Sequence, residues 1–440
     1  MSRLVFDFDL DSARVSKDTF DKASASLVPE VIAVKNMLNA GYATDYASIN
    51  VPADKKNLSI VQSMISEKMQ LHISALVVVG IGGSHLGALA VHNAINGVLY
   101  NERDSKIKVY FADTVDADYL SEIIKITEHM LAKGENVLVN VVTKSGKTTE
   151  TIANFEIFLE LLIKYKKNKY KDFLVVTTDE GSDLWHYALK HNLSLLGVPK
   201  KVGGRFSVLS PVGLFPLGIL GIDLQGFTSG ASEMVSICTS DNIAKNSAAL
   251  SASCLYCHYK SGIKIHDTFI FSRALSALGL WYRQLIGESI GKKYDRAGNL
   301  VEVGITPTVS VGTTDLHSVA QLYLGGPRAR FTTFVTVNSA NDVLLPTFGE
   351  FEALVENIQG KSLSSIMNAI AMGTKAAYKK EERPFVSIHL PQINAFTIGS
   401  FLQLKMFEII YLGYLLHVNP FDQPQVELYK KETRSVLKNG

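Results

Sequence analysis

Leu76-Val77-Val78-Val79-Gly80-Ile81-Gly82-Gly83-Ser84-His85-Leu86-Gly87 is a short β-branched run that breaks on glycines and opens a helix-length segment. The same alternation repeats from Leu76 to Gly197, the pattern that builds βαβ units on a parallel sheet. Strands are expected at Leu76 to Val79, Ile107 to Phe111, Val137 to Val142, Phe173 to Thr177 and Ser194 to Leu196. Helices are expected between them, near 85 to 97, 117 to 132, 149 to 165 and 182 to 190. In the third of these Ile152, Phe155, Phe158, Leu159 and Leu162 fall on one face and Glu150, Asn154 and Glu160 off it, so the apolar stripe should lie on the sheet. After Gly203-Gly204 a second series begins, with strands expected at His266 to Phe271, Val309 to Val311, Phe331 to Val337 and Phe385 to Ile388. The first 45 residues read as mostly helical, and a long helix is expected near 394 to 417. The fold class is α/β, with two mainly parallel sheets.

Bulk properties narrow the function. At 440 residues the chain exceeds one ordinary core, and two or three domains are expected. Lysine plus arginine at 44 against 42 acids leaves a net charge of +2, too small a field to hold a nucleic-acid backbone. The lysine-rich run Lys164 to Lys171 reads as the solvated end of a helix. The N-terminal residues show no basic, apolar and small-residue series, so a cytoplasmic protein is expected. Ala395 to Val418 is apolar enough to raise the question of a membrane span, but Gln403, Lys405 and Glu408 within it would be costly in lipid, and a buried core helix is expected instead. Cys238, Cys254 and Cys257 give no disulfide framework.

The glycines after the first strand sit where backbone amides can approach an anion. They do not make a dinucleotide fingerprint, because the third glycine of that pattern would fall at His85. The third strand ends in Thr143-Lys144-Ser145-Gly146-Lys147-Thr148-Thr149-Glu150-Thr151, five hydroxyls at the start of a helix. A helix N-terminus carries about half a positive charge and unpaired amides, and hydroxyl donors beside it suit a phosphate. Simple N-capping needs one or two such residues. A nucleotide P-loop would need its leading glycine at position 141, which is Val141. Two anion-type turns after strands of one sheet point to a phosphorylated small molecule at its carboxyl edge. Cys254-Leu255-Tyr256-Cys257-His258 has the spacing of a haem attachment, but the segment reads as an apolar helix, and a second ligand pair for zinc is not evident.

Six ordered segments carry a resemblance: Gly80-Ile81-Gly82-Gly83-Ser84, Lys144-Ser145-Gly146-Lys147-Thr148-Thr149-Glu150, Gly203-Gly204-Arg205-Phe206-Ser207, Glu288-Ser289-Ile290-Gly291-Lys292, Asp315-Leu316-His317-Ser318 and Asn419-Pro420-Phe421-Asp422-Gln423-Pro424. In this order, across residues 80 to 430, the set resembles the phosphoglucose isomerase family. The resemblance implies two SIS-type αβα sandwich domains plus helical N- and C-terminal segments, a smaller domain at 46–198 and a larger one from 1–45 and 199–440. It implies reversible interconversion of D-glucose 6-phosphate and D-fructose 6-phosphate, a step of glycolysis and gluconeogenesis, through ring opening and a cis-enediol.

By the same resemblance Glu288 is the base that moves the proton between C2 and C1, and Arg205 stabilises the enediolate. An ordinary glutamate, with a pKa of about 4.3, is ionised at neutral pH. His317, supplied by the neighbouring subunit of a homodimer, and Lys430 act in ring opening. Gly83, Ser84, Thr143, Ser145, Thr148 and Thr151 hold the phosphate with Lys144 and Glu150 in support, and Gly204 and Gln423 complete the sugar site. Proton transfer through a side chain requires no metal or organic cofactor, and neither nucleic acid nor membrane is an expected partner. Two positions depart from the family pattern, Lys147 for its usual threonine and Gln425 for its usual glycine. A glucosamine 6-phosphate isomerase of the SIS type would share the phosphate loop but leave Glu288, His317 and Lys430 unexplained. A binding regulator would not need every acid, base and cation position filled.

Overall fold

The computed structural model describes residues 3–439. Its strands, in chain order, are β1 (Val5–Asp7), β2 (Ala75–Val79), β3 (Lys108–Ala112), β4 (Val137–Val142), β5 (Leu174–Asp179), β6 (Ser194–Val198), β7 (Ile265–Ile270), β8 (Lys292–Tyr294), β9 (Leu300–Val303), β10 (Thr306–Val311), β11 (Arg330–Val337) and β12 (Phe385–Leu390). They form two five-stranded sheets and a hairpin. The first sheet runs β3-β2-β4-β5-β6, parallel throughout. The second runs β1-β12-β11-β7-β10, parallel except for β1.

Every residue of β2 and β4 is buried, because helices cover both faces of the first sheet. Side chains alternate across a strand, so the two faces enter different cores. Leu76, Val78, Leu138 and Val142 join the large apolar core shared with the rest of the molecule. Ala75, Val77, Val79, Val139 and Val141 meet Phe155, Phe158 and Leu162 in a second cluster. A buried aliphatic side chain contributes about 1.5–3 kcal/mol, so these runs alone hold the sheet firmly.

Both sheets share one crossing pattern. The chain leaves β2 for β3 on one side and returns to β4 on the other, and likewise leaves β7 for β10 and returns to β11. Such a switch point opens a crevice at the carboxyl ends of the strands, here after β2 and β4.

Ala395–Leu415 is long and apolar enough to cross a membrane, yet 89% of its apolar window is buried inside the protein, mainly against Leu224–Cys238. Its Lys405 and Glu408 form a fully buried ion pair 2.8 Å long, and Glu408 also accepts from Tyr282 Oη at 2.5 Å and from Ser251. Cys254, Cys257 and His258 are buried in Ser247–Lys260, where His258 Nε2 lies 2.9 Å from the Ala13 carbonyl.

Three features differ from the sequence reading. The N-terminal segment is mostly helical as expected but also carries a strand that was not: β1 adds to the open edge of β12 in antiparallel register. The hairpin β8–β9 was not expected. Asn154, read as off the apolar stripe of Thr149–Lys166, is nonetheless buried, because its side-chain amide donates to the carbonyls of Ala112, the last residue of β3, and of Thr114, at 3.3 and 2.8 Å.

Candidate active site

β2 delivers its glycine turn into a space that only glycine fits. Gly82 has φ +60°, in the left-handed region, and a Cβ on Gly83 would fall 2.2 Å from the Gly204 carbonyl carbon and 2.6 Å from the Arg205 nitrogen. The turn thus lies backbone to backbone on Gly204–Phe206, and Ser207 Oγ, which donates to Gly204 O at 2.6 Å, stays within 3.4 Å of Gly83 O. Ser84 closes this turn, and His85 behind it lies 2.8 Å through Nε2 from Asp113 Oδ2.

β4 delivers the second turn. Thr148 stands at the N-cap of Thr149–Lys166, but its side chain caps no helix amide; Thr148 Oγ1 and Thr143 Oγ1 lie 3.0 Å apart instead. The Thr151 hydroxyl is buried and without a partner among the described residues. Capping therefore does not explain the hydroxyls, and an anion at the helix start would meet unspent donors. Lys144 sits beside them. Burial lowers its pKa, against the opposing pull of Asp179. Lys147 turns outward to an exposed ion pair with Asp183 at 2.9 Å.

Arg205 is the centre of the arrangement, and its side chain is fully buried. A guanidinium has five N–H donors, and all five are used here. Nε donates to Ser289 Oγ at 2.7 Å, Nη1 to Glu288 Oε2 at 3.2 Å and to Gln423 Oε1, and Nη2 to the carbonyls of Pro420 and Asp422 at 2.6 and 3.0 Å. Burial pushes its pKa down, while the charge of Glu288 pulls the other way. Glu288 projects from Ser276–Ile290 with its carboxylate partly open to solvent, Oε1 accepting from Gln284 Nε2 at 3.0 Å.

The structure thus brings together Gly83, Gly204, Arg205, Glu288 and Gln423, with Ser84 in the adjoining turn, and groups Thr143, Ser145, Thr148 and Thr151 at the second turn. Among the described residues, His317 and Lys430 make no hydrogen bond or ion pair with this group. His317 is exposed on the turn Thr314–His317. Lys430, on Val426–Asn439, pairs with Glu427 at 2.7 Å. Gln425 lines a cavity together with Tyr46, Lys292 and Asp422.

Gln284 and Ser289 were missed as site residues. Gln284 stands four residues before Glu288, the spacing that places two side chains on one helix face, so helical periodicity could have found it. Among the described residues there is no cluster of three or more His, Cys, Asp or Glu side chains placed to hold a metal ion. An acid beside a buried cation, next to an anion-receptive edge, suits proton abstraction from a phosphorylated substrate.

The family model for phosphoglucose isomerase matches residues 56–440. A glucose-6-phosphate isomerase of Carboxydothermus hydrogenoformans is 36% identical over 368 residues, 82% of this chain and 78% of that protein. One of Methanocaldococcus jannaschii is 31% identical over 418 residues, 94% of this chain and 98% of that protein. Among solved structures, a hypothetical protein from Thermus thermophilus superposes with a TM-score of 0.85 at 31% identity over 99% of each chain. A glucose-6-phosphate isomerase from Chlamydia trachomatis shares the fold, with a TM-score of 0.80 at 21% identity, covering 97% of this chain and 87% of that one.

Proposed function

The chain belongs to the phosphoglucose isomerase family and is an aldose–ketose isomerase that interconverts glucose 6-phosphate and fructose 6-phosphate; we propose that it uses Glu288 as base, Arg205 as cation and the turns after β2 and β4 as phosphate cradle. The observation that carries this assignment is the Glu288 carboxylate held between Gln284 and the buried Arg205, where the first turn meets Gly204.

The 6-phosphate sits against Gly83, Ser84, Thr143, Ser145, Thr148 and Thr151, with Lys144 and Glu150 in support, all within a domain spanning 46–198. This sets the open-chain sugar across Gly204 with C1 and C2 at Glu288. The carboxylate removes the C2 proton of the aldose, the C1 carbonyl gains a hydroxyl proton, and the C2 hydroxyl becomes the carbonyl. Glu288 then returns its proton to C1. Negative charge builds on the enediolate oxygens. Arg205 answers it with a guanidinium already held in place beside Glu288, and the exposed Gln423 offers its amide to the sugar hydroxyls. Donors already fixed in place stabilise such charge by about 10²–10³-fold in rate, since they need no reorganisation.

Ring opening falls to His317 and Lys430. His317 reaches the site from a second copy of the chain in a homodimer with shared active sites. The exposed position of His317, unbonded to the Arg205 group among the described residues, supports this, as do the exposed apolar side chains Leu344, Phe348, Phe351 and Leu354, which a partner would cover. The reaction belongs in the cytoplasm, where the charge of phosphorylated sugars retains them. No metal or organic cofactor enters the scheme.

The test is conversion of fructose 6-phosphate to glucose 6-phosphate by the purified protein in excess chelator. Turnover is expected. Activity that disappears in chelator and returns with zinc or magnesium would overturn the metal-free scheme, and binding of sugar phosphate without turnover would replace the enzyme with a sugar-phosphate-binding regulator.

A further inference from the structure

We infer that Lys292 is a positioning residue of this site, a clamp that ties the end of the Glu288 helix to the loop carrying Gln423; the inference rests on the proposed roles of Glu288 and Gln423. Gln284, Glu288 and Lys292 recur at intervals of four, so the lysine prolongs the stripe that carries the base. The helix itself stops before it. Gly291 N bonds back to Gly287 O at 3.0 Å, and a Cβ on Gly291 would lie 2.7 Å from that same oxygen. Lys292 then opens β8 with its side chain only 4% exposed.

An ammonium has three donors, and each finds an acceptor here. Nζ donates to Glu288 O at 2.9 Å, to Asp422 Oδ1 at 2.9 Å and to Asp422 O. The first of these satisfies a carbonyl at a helix C-terminus, where a cation is favoured. The Asp422 carbonyl also accepts from Arg205 Nη2 at 3.0 Å, so one oxygen joins both cations to the residue before Gln423.

Apolar contact holds only one end of this loop. Phe421 meets Tyr46 and Phe206, with ring centroids 5.0 and 5.8 Å away. Beyond it the loop backs onto a cavity of about 530 Å³ whose lining includes Tyr46, Arg296, Asp422 and Gln425. Gln423 is held by Arg205 Nη1 on its side chain and Val426 N on its carbonyl, and Lys292 acts on it through Asp422, the residue before it. Without the clamp, Arg205 alone ties Glu288 to Gln423 and the end of the Glu288 helix loses its own bond to the loop, while the phosphate cradle keeps its supports.

The experiment compares wild type, Lys292→Met and Lys292→Arg in kcat and KM for fructose 6-phosphate. It also measures the inhibition constant of sorbitol 6-phosphate, which carries the phosphate but has no carbonyl to isomerise. Because a displacement of about 1 Å at a reacting centre costs about 10²-fold, Lys292→Met is expected to lose about that much in kcat with an inhibition constant within about three-fold of wild type. Lys292→Arg, which retains charge and donors, is expected to recover part of the loss. A folded Lys292→Met with wild-type kcat overturns the inference, and so does an equal loss of kcat and sorbitol 6-phosphate affinity. If Lys292→Met does not fold, Asp422→Asn decides: it removes the ion pair at a half-exposed side chain, and a fall in kcat of about five-fold, equivalent to about 1 kcal/mol, is expected, whereas no fall overturns the inference. An inactive wild type would overturn the isomerase reading together with the clamp, and an active wild type with unaffected variants overturns the clamp alone.

Discussion

Replacing Arg205 by lysine separates the charge of the residue from its shape. Lysine keeps the positive charge but offers three donors on one nitrogen, whereas Arg205 uses five from a rigid planar fork. Its acceptors surround that fork: Ser289 at 2.7 Å, Glu288 at 3.2 Å, Pro420 at 2.6 Å, Asp422 at 3.0 Å and Gln423. At least two of these bonds are lost, and a hydrogen bond to a charged group is worth about 1.5–3 kcal/mol, giving about 3–6 kcal/mol in all. The side chain is fully buried, so water does not replace the missing partners. At about 1.4 kcal/mol per factor of ten, the whole sum in the transition state would be about 10²–10⁴-fold in kcat/KM. Part of it will appear as a lower melting temperature instead, because the Pro420 and Asp422 carbonyls belong to the fold. The assay is steady-state turnover of fructose 6-phosphate beside a thermal melt, and a loss of about 10²-fold or more is expected in Arg205→Lys. A variant within three-fold of wild type in kcat/KM with an unchanged melting temperature would refute the reasoning, since a bare charge would then suffice.

Lys147→Thr should leave kcat/KM within a few-fold, because Lys147 is spent on an exposed ion pair with Asp183; a collapse of turnover measured by the same assay would show that the lysine meets the phosphate. Gly83→Ala should lower the melting temperature and raise KM, since its new carbon would lie 2.2 Å from backbone that cannot move aside, and overpacking of this kind costs about 1–3 kcal/mol. An unchanged melt and KM would contradict the close approach of the two turns. Asp179 at the end of β5 has its pKa raised to about 6, mainly by burial, with Lys144 and Lys200 opposing. Because the folded pKa lies above the unfolded one, the stability tied to the protonated form is present below about pH 4 and is lost as pH rises through about 6. Asp179→Asn should therefore gain in melting temperature relative to wild type between pH 4 and pH 7, and a constant difference across that range would refute the shift.

The first parallel sheet was legible because β2 and β4 are runs dominated by valine and leucine and bounded by turn residues. β1 was not, since three residues beside helix-forming sequence acquire strand geometry only by pairing with the edge of β12. Asn154 looked like solvent-face polarity because its partners are backbone carbonyls 40 and 42 residues away, and carbonyls leave no trace in a sequence pattern. The site divided along the same line. The glycine and hydroxyl turns were readable from the chemistry of their residues, and Glu288 and Arg205 from the motifs around them. Gln284 lay within reach of helical spacing. The roles of Lys292 and Asp422 depend on where the 419–425 loop comes to rest, which local sequence does not specify.

The central claim is that Glu288 moves the substrate proton. Its most direct test follows fructose 6-phosphate in deuterium oxide by NMR, recording ketose–aldose conversion and deuterium entry at carbon, for wild type and Glu288→Gln. The glutamine keeps the size of the side chain and one oxygen to accept from Arg205, but its amide nitrogen accepts neither the Gln284 hydrogen bond nor the substrate proton. The account predicts that both signals fall by at least about 10²–10⁴-fold while sorbitol 6-phosphate still binds. Conversion and deuterium entry at near wild-type rates in the folded variant would contradict it and assign the base to another residue.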